Sequence, residues 1–373
     1  MLTEFCALCD TKLTLHNMSK EHIIPNAIGG RKVIKNFICN PCNNQTGESW
    51  DAALSKQLHD MSLFLSINRQ RKPVPHKDFK TVKGDDIRIK PNGQMGLIKP
   101  TCEIEETTKG LEINLQVRDE KELKIKLKEI QKKYSGFHID QNKLLNQAEK
   151  KSFYISDMIK FSAAIGGREE GKSIVKTAWA FAVSNGLQAK ICEHAKAYLI
   201  EDKKACFGYY YEKDLIKNRP IGVPIHCLSI KGNPTNKQLI AYVEYFGVYR
   251  MIIGLSNNYR GSAFSSTYAI NPVIGKEIEI DVELDLSPDD VEATYRYEKY
   301  MEEEIREAFN VVLSARQDKS YENELSKVVA QSYEQACARL GLSEGDVLSP
   351  KQAREFSKLI SANMEQFLLH ILH

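Results

Sequence analysis

Two Cys-x-x-Cys pairs lie near the start of this chain, Cys6-Ala7-Leu8-Cys9 and Cys39-Asn40-Pro41-Cys42. Each pair can point two thiolates at one cation, and two pairs complete a four-thiolate shell. Soft thiolates in tetrahedral geometry favour zinc over magnesium or calcium. A segment of about 50 residues with few large apolar side chains cannot bury enough surface to fold alone, so zinc would supply folding free energy. We therefore predict a structural Zn²⁺ bound by Cys6, Cys9, Cys39 and Cys42.

Two disulfides are the alternative explanation of the same four cysteines. The sequence shows no signal-peptide pattern, and a reducing compartment suits free thiols better than disulfides. The remaining cysteines follow no regular spacing: they are Cys102, Cys192, Cys206, Cys227 and Cys337. We therefore expect zinc rather than disulfides, and a cytoplasmic protein.

The segment between the two pairs contains Glu21-His22-Ile23-Ile24-Pro25, Gly29-Gly30 and Asn36, and Asn43 follows the second pair. A histidine has an unperturbed pKa of about 6.5, so His22 can accept a proton at neutral pH. Glu21 and Asn43 offer the hard oxygen ligands that Mg²⁺ or Mn²⁺ prefers. Adjacent side chains of a strand point to opposite faces, so Glu21 and His22 can approach a phosphate from two sides. The two glycines permit a sharp turn between hairpin arms.

This pattern resembles the HNH endonuclease family, whose ββα-metal fold carries an acidic residue and His, then Asn, then His or Asn just after the second Cys-x-x-Cys pair. The order and spacing of Glu21-His22, Asn36 and Asn43 agree with it, over about residues 1–65. The resemblance implies that His22 is the general base and that Glu21 and Asn43 bind a catalytic Mg²⁺ or Mn²⁺. It also implies that Asn36 braces the His22 loop by hydrogen bonds.

Two positions depart from the commonest form of the family pattern. The family often has Asp where this chain has Glu21, and often His where it has Asn43. Both replacements keep an oxygen ligand, which favours Mg²⁺ or Mn²⁺ over zinc as the catalytic ion. Asn44 is an alternative ligand to Asn43. The alternative function is a zinc-containing DNA-binding or assembly protein that does not cut, but filled base and ligand positions argue against it.

Composition and charge set broad limits on the class of protein. The chain has 373 residues, 42% of them hydrophobic and 27% charged, as in an ordinary soluble protein of two or three domains. No apolar run reaches the length of about 18 residues that would predict a membrane span. Residues 1–280 carry a surplus of Lys and Arg, and residues 281–373 a surplus of Asp and Glu. A basic front part suits contact with nucleic acid.

The clearest basic patch follows the expected nuclease helix and contains Arg69, Arg71, Lys72 and Lys77. Such residues contact phosphates without regard to base sequence, and their contribution to binding weakens with salt. Ordinary surface solvation is the alternative explanation. We predict that the patch contacts DNA.

The periodicity of apolar residues predicts an α+β fold in three parts. Residues 1–72 form an HNH module in which a helix runs from Asn43 to about Leu65. Residues 73–148 form a basic linker with strands and a helix, and residues 149–373 form an α+β recognition or regulatory domain that ends in helices. Gly166-Gly167-Arg168-Glu169-Glu170-Gly171-Lys172-Ser173 satisfies a P-loop pattern, but no strand-like run precedes it. We interpret it as a connection between helices with Lys172 exposed.

These features together predict a metal-dependent DNA endonuclease whose C-terminal part recognises a target, a nucleotide signal or a protein partner. HNH modules joined to larger domains resemble bacterial restriction and antiphage effectors, an analogy at the level of domains. One HNH site attacks one strand, so a double-strand break needs two copies. We therefore expect a homo-oligomer.

Overall fold

The computed structural model describes residues 5–84, 86–108, 110–136, 140–148, 154, 157–161, 164, 166–201 and 203–372. Contacts divide the chain into two compact units. The first unit contains Met1–Pro75, Pro91–Gly93 and Phe161–Gln317, and the second contains His76–Lys90, Gln94–Lys160 and Asp318–His373. The domain boundaries expected from the sequence, at residues 72 and 148, remain a prediction.

Helices and antiparallel sheets alternate along the chain, which confirms the α+β class. The strands are β1 (Met18–His22), β2 (Val33–Cys39), β3 (Lys77–Lys80), β4 (Asp86–Ile89), β5 (Met95–Leu97), β6 (Thr101–Thr107), β7 (Gly110–Gln116), β8 (Phe207–Tyr209), β9 (His226–Asn233), β10 (Gln238–Tyr245), β11 (Tyr249–Ser256), β12 (Phe264–Asn271) and β13 (Lys276–Ile278). The α-helices are α1 (Asn40–Thr46), α2 (Ala52–Gln57), α3 (His59–Phe64), α4 (Glu120–Lys133), α5 (Gln141–Gln147), α6 (Arg168–Ser184), α7 (Glu193–Ile200), α8 (Pro288–Tyr295), α9 (Glu302–Leu340) and α10 (Pro350–Leu372). Short 3₁₀ turns span Asn26–Ile28 and Ala189–Ile191, and a π-helical turn spans Gly47–Asp51.

The N-terminal part of the first unit is an antiparallel β1–β2 hairpin followed by α1. Glu21 pairs with Ile34, and His22 pairs with Val33. The connection between the strands requires glycine, as the sequence predicts. Gly29 has φ +99°, and a Cβ on Gly30 would lie 1.9 Å from the carbonyl oxygen of Ile24.

The helix expected from Asn43 to Leu65 is present but begins earlier and is not continuous. It starts at Asn40, passes through the π-helical turn and α2, breaks at Leu58 and ends with α3. The predicted apolar stripe is buried at every position: Leu54, Leu58, Met61 and Leu65. The periodicity therefore identified the buried face correctly, while the interruptions depend on local backbone geometry.

A six-stranded sheet forms the core of the first unit. Its strand order is β13-β12-β9-β10-β11-β8, and every neighbouring pair is antiparallel. All residues of β10 are buried, so both faces of the sheet centre are covered. Ile240 and Tyr242 point to one face, where they pack in a large apolar cluster with α8. Tyr245 points to the other face and donates a hydrogen bond to Thr177 of α6, at 3.3 Å.

Helix α6 contacts both the sheet and the N-terminal hairpin. Trp179 of α6 packs edge-to-face against Phe37 of β2 with ring centroids 5.5 Å apart, and both side chains are fully buried. The P-loop-like residues lie in this helix from Arg168 onward, so they do not form a phosphate-binding loop. The expectation that Lys172 is exposed is wrong: it is 9% exposed, with Nζ 5.5 Å from the centroid of the Trp50 ring.

The second unit contains a three-stranded β3–β4–β5 sheet, the β6–β7 hairpin and the helical C-terminal segment. Aromatic contacts join α9 to α10: Tyr321 lies against Phe367 with ring centroids 5.6 Å apart, and Tyr333 against Phe356 at 5.4 Å. These helices confirm the predicted helical end of the chain. Every helix in the described part of the chain is too short or too polar to span a lipid bilayer.

His226 joins the sheet to the turn of the N-terminal hairpin. Its side chain is fully buried at the start of β9, where Nε2 lies 2.7 Å from the carbonyl oxygen of Ile28 and Nδ1 accepts from the backbone N–H of Phe246 at 3.2 Å. A carbonyl accepts and an N–H donates, so the ring is neutral with its proton on Nε2. Burial lowers the pKa of His226 to about 4.

We predict that His226 makes the fold sensitive to acid between pH 6.5 and 4. The unfolded residue, with a pKa of about 6.5, takes up a proton in this window that the folded residue does not, so the free energy of unfolding falls as pH falls. The neutral His226 contributes about 3 kcal/mol to the free energy of unfolding above pH 6.5, and this contribution is lost by about pH 4. Urea unfolding at several pH values should show that the free energy of unfolding falls less between pH 6.5 and 4 for His226→Asn than for wild type.

His16→Asn is the matched control, because His16 is exposed in a turn of the same N-terminal segment. It should keep the wild-type dependence on pH. An equal fall in the free energy of unfolding on acidification for wild type and His226→Asn would contradict a neutral, buried His226.

Candidate active site

The four predicted zinc ligands lie together. Their sulfur atoms are all within 4.8 Å of one another, and those of Cys9 and Cys39 are 3.6 Å apart. A tetrahedral site with Zn–S bonds of about 2.3 Å has sulfur–sulfur edges of about 3.8 Å. The four cysteines are free thiols, and the cluster can hold a zinc ion.

Local backbone structure positions these sulfurs. The backbone N–H of Cys6 donates to the carbonyl oxygen of Thr11 at 2.8 Å, and the backbone N–H of Asp10 donates to the carbonyl oxygen of Cys6 at 3.0 Å. These two bonds close a tight turn around the first cysteine pair. Cys39 ends β2, and its backbone N–H donates to the sulfur of Cys6 at 3.3 Å. Hydrogen bonds of this kind orient thiolate ligands.

His22 lies at the end of β1 and is partly exposed. Its Nε2 is 2.9 Å from Oε1 of Gln70. A carboxamide oxygen can only accept a hydrogen bond, so Nε2 carries the ring proton. The lone pair of Nδ1 is therefore left to accept a second proton. The backbone N–H of Gln70 donates to Oδ1 of Asn26 at 3.1 Å, which ties the Gln70 segment to the hairpin turn. This arrangement suits His22 as a base.

Glu21, next to His22, points the opposite way and is 5% exposed. Its Oε1 accepts a hydrogen bond from Nζ of Lys176 on α6 at 2.6 Å. Lys176 is 1% exposed and also donates to Oδ2 of Asp51 at 2.6 Å and to Oγ1 of Thr46 at 3.4 Å. An ammonium has three N–H donors, and these three oxygens use them all.

Electrostatics keep Lys176 charged in this buried place. Burial lowers its pKa, but the charges of Asp51 and Glu21 outweigh burial and raise the pKa above its ordinary value. Burial raises the pKa of Glu21, against the opposing charge of Lys176. Asp51 is held on its other oxygen as well, where Oδ1 accepts from the hydroxyl of Ser173 at 2.6 Å.

The catalytic divalent ion implied by the family does not fit at Glu21 in this arrangement. The carboxylate is buried and already binds an ammonium, which would repel a second cation. Within the described part of the chain, the four cysteines are the one grouping of three or more His, Cys, Asp or Glu ligand atoms close enough to hold an ion. The ligand role of Glu21 remains a prediction from the resemblance.

The three asparagines occupy different positions around the hairpin. Asn36 lies in β2 at the point where the register with β1 shifts. Its φ of +59° is in the left-handed region, which asparagine tolerates better than most residues do. Asn43 is half-buried in α1, and Asn44 beside it is exposed. The bracing role of Asn36 and the ligand role of Asn43 or Asn44 remain predictions.

Comparison with protein families supports the sequence pattern. Residues 6–59 match the HNH endonuclease family model. The match spans both cysteine pairs, Glu21-His22, Asn36 and Asn43, and it confirms the resemblance for this segment. A search of curated proteins and a search of solved structures returned no match.

The HNH segment, residues 6–59, is joined to residues outside the match that sequence reasoning missed. Lys176 and Ser173 come from α6, and Gln70 comes from the stretch after α3. Lys176 had a signal: it stands in the apolar run Ile174–Val183, and a buried charge needs a partner. Gln70 had none, since it is an exposed glutamine in a loop.

The predicted basic patch is divided between the two units. Arg71 and Lys72 are exposed after α3, and Lys77 is exposed on β3 of the second unit. Arg69 is half-buried, its Nη1 donates to the carbonyl oxygen of Pro73 at 3.5 Å, and burial lowers its pKa. Arg69 therefore braces its own loop. Contact of these four residues with DNA remains a prediction.

We predict that one zinc ion per chain co-purifies and that Cys39→Ser removes most of it. Loss of one thiolate weakens both the metal site and the fold that depends on it. Elemental analysis and thermal unfolding should show less zinc and a lower Tm than for Cys102→Ser, whose cysteine is exposed on β6. Wild-type zinc content in Cys39→Ser would rule out the four-cysteine site.

Proposed function

We propose that this protein is an HNH endonuclease that hydrolyses phosphodiester bonds of DNA. The observation that carries the proposal is the oriented His22: its Nε2 contacts Gln70, and it lies within the segment that matches the HNH family. The proposed cofactors are a structural Zn²⁺ on the four cysteines and Mg²⁺ or Mn²⁺ in the reaction. DNA contact by Arg71, Lys72, Lys77 and the less exposed Arg69 is part of the same proposal.

In the proposed reaction, Nδ1 of His22 takes a proton from a water molecule as the water oxygen attacks phosphorus. The P–O bond to the leaving sugar oxygen breaks, and that oxygen gains a proton from solvent. Base catalysis of this kind contributes typically about 10²–10⁴-fold to the rate. A divalent ion would supply charge stabilisation on the phosphate. Asn43 or Asn44 is the proposed ligand of this ion. Glu21 would bind the ion only in a state in which its contact with Lys176 is broken.

We also propose that the rest of the chain controls the HNH segment. Lys176 contacts Glu21 and His226 contacts Ile28, so residues from outside the segment touch both its strand and its turn. A role in restriction or antiphage defence, with a nucleotide signal or a protein partner, follows by analogy with domain order. Cytoplasmic location and a homo-oligomer that cuts both strands belong to the same proposal.

One observation favours a second function, a zinc-containing DNA-binding or assembly protein that does not cut. Glu21, a ligand in the family pattern, is buried against Lys176. A protein that had lost catalysis could keep the zinc site and the hairpin while this carboxylate took a structural role. A plasmid-nicking assay on wild type separates the two functions, because only the nuclease would cut.

We predict that His22→Ala lowers plasmid nicking in Mg²⁺ or Mn²⁺ by at least about 100-fold, because the base acts in the transition state. Zinc content and DNA binding should stay at wild-type values. His16→Ala, at an exposed position of the same segment, should nick as wild type does. Near wild-type nicking by His22→Ala would exclude it as the base, and no nicking by wild type would favour the second function.

We predict that Gln70→Ala lowers nicking by roughly 10-fold, since partners that fix a histidine tautomer typically have effects of this size. Gln70→Glu keeps an acceptor for Nε2–H and should recover most of the activity. Its pH profile should shift upward, because a carboxylate stabilises the protonated ring. Equal rates for Gln70→Ala and wild type across the pH range would show that Gln70 does not orient the base.

A further inference from the structure

Lys176 is held in a closed cradle of oxygens. Glu21 comes from β1, Thr46 from the end of α1 and Asp51 from the π-helical turn, and the three acceptors lie within 3.4 Å of Nζ. Two carboxylates and a hydroxyl converging on one point form a cation site. Here the cation is an ammonium supplied by the chain itself.

The rest of α6 fixes Lys176 in place. One helical turn earlier, Ser173 donates to Asp51, and Lys172 lies over the ring of Trp50. On the sheet side Thr177 accepts from Tyr245, and Trp179 packs against Phe37. Lys176 is 1% exposed and its helix is held on two sides, so a displacement of α6 is the route by which the ammonium would leave Glu21.

A divalent ion at Glu21 and the ammonium at its present position exclude each other. Both would contact the same carboxylate, and like charges this close repel strongly in a buried site. Removal of the ammonium would leave the buried carboxylate of Glu21 beside the half-buried carboxylate of Asp51, an arrangement that binds Mg²⁺ or Mn²⁺.

We propose that Lys176 is the resident cation of the Glu21–Asp51 site and excludes a divalent ion from Glu21 for as long as α6 is docked. The inference concerns regulation of the proposed nuclease site and takes its biological meaning from that function. Affinity for the metal is thereby set by a helix outside the HNH segment.

The first test measures Mn²⁺ binding by electron paramagnetic resonance on the full-length, zinc-loaded protein. Glu21→Gln should bind Mn²⁺ as wild type does, within about twofold, because Lys176 already holds Glu21 away from the metal. The variant should fold, since Lys176 keeps Asp51 as its counter-ion. Mn²⁺ affinity at least about tenfold weaker in Glu21→Gln would show that Glu21 binds the ion, and would overturn the proposal.

The second test removes the ammonium. Lys176→Met should bind Mn²⁺ at least about tenfold more tightly than wild type, and adding Glu21→Gln to it should abolish the gain. Lys190→Met, which removes a charge at an exposed position in the turn after α6, is the matched control and should bind as wild type does. A folded Lys176→Met with wild-type Mn²⁺ affinity would overturn the proposal, and if it does not fold, the Glu21→Gln comparison decides alone.

These measurements do not depend on cleavage. Absence of nicking by wild type with either metal would count against the proposed nuclease, while the Mn²⁺ affinities would still decide which cation Glu21 binds.

Discussion

The buried ammonium of Lys176 ties together three segments that are distant in sequence. It joins the strand that carries His22, the helical region after the second cysteine pair, and the helix that covers the central sheet. Loss of one partner from a buried ion pair typically costs about 3–5 kcal/mol, because the remaining charge has no counter-ion. The relative placement of these segments therefore depends on one residue, and the HNH segment does not itself supply the counter-ion of Glu21 and Asp51.

Two sources of stability act on different ends of the HNH segment. The cysteine cluster fixes the first turn, the end of β2 and the start of α1 around a zinc site. The other end has no metal cluster in the described residues and relies on packing instead, with Phe37 against Trp179 and Ile28 bound by His226. Zinc removal should therefore disturb the first end more than the second, since the second has its own apolar contacts.

The features that depend on residues close together in the chain could be predicted from the sequence. The cysteine spacing identified the cluster, the Glu21-His22 pair with two glycines identified the hairpin, and the apolar stripe after Asn43 identified the buried helix face. The sequence did not predict the partners of Glu21 and His22, because Lys176 and Gln70 reach the site only through tertiary packing. The burial of Lys172 was missed for the same reason, since an isolated helix pattern does not reveal how many neighbours cover it.

These contacts limit what a fragment of the chain can show. A fragment that ends at Pro75 would contain every residue of the family pattern but would lack Lys176, Trp179 and His226. Its Glu21 and Asp51 would lose their shared counter-ion and become open to solvent and metal, and Phe37 would lose its aromatic partner. The fragment would thus differ from the HNH segment of the whole protein in the cation that Glu21 can bind. Cleavage by such a fragment would report the chemistry of His22 but not the state in which the intact chain holds it.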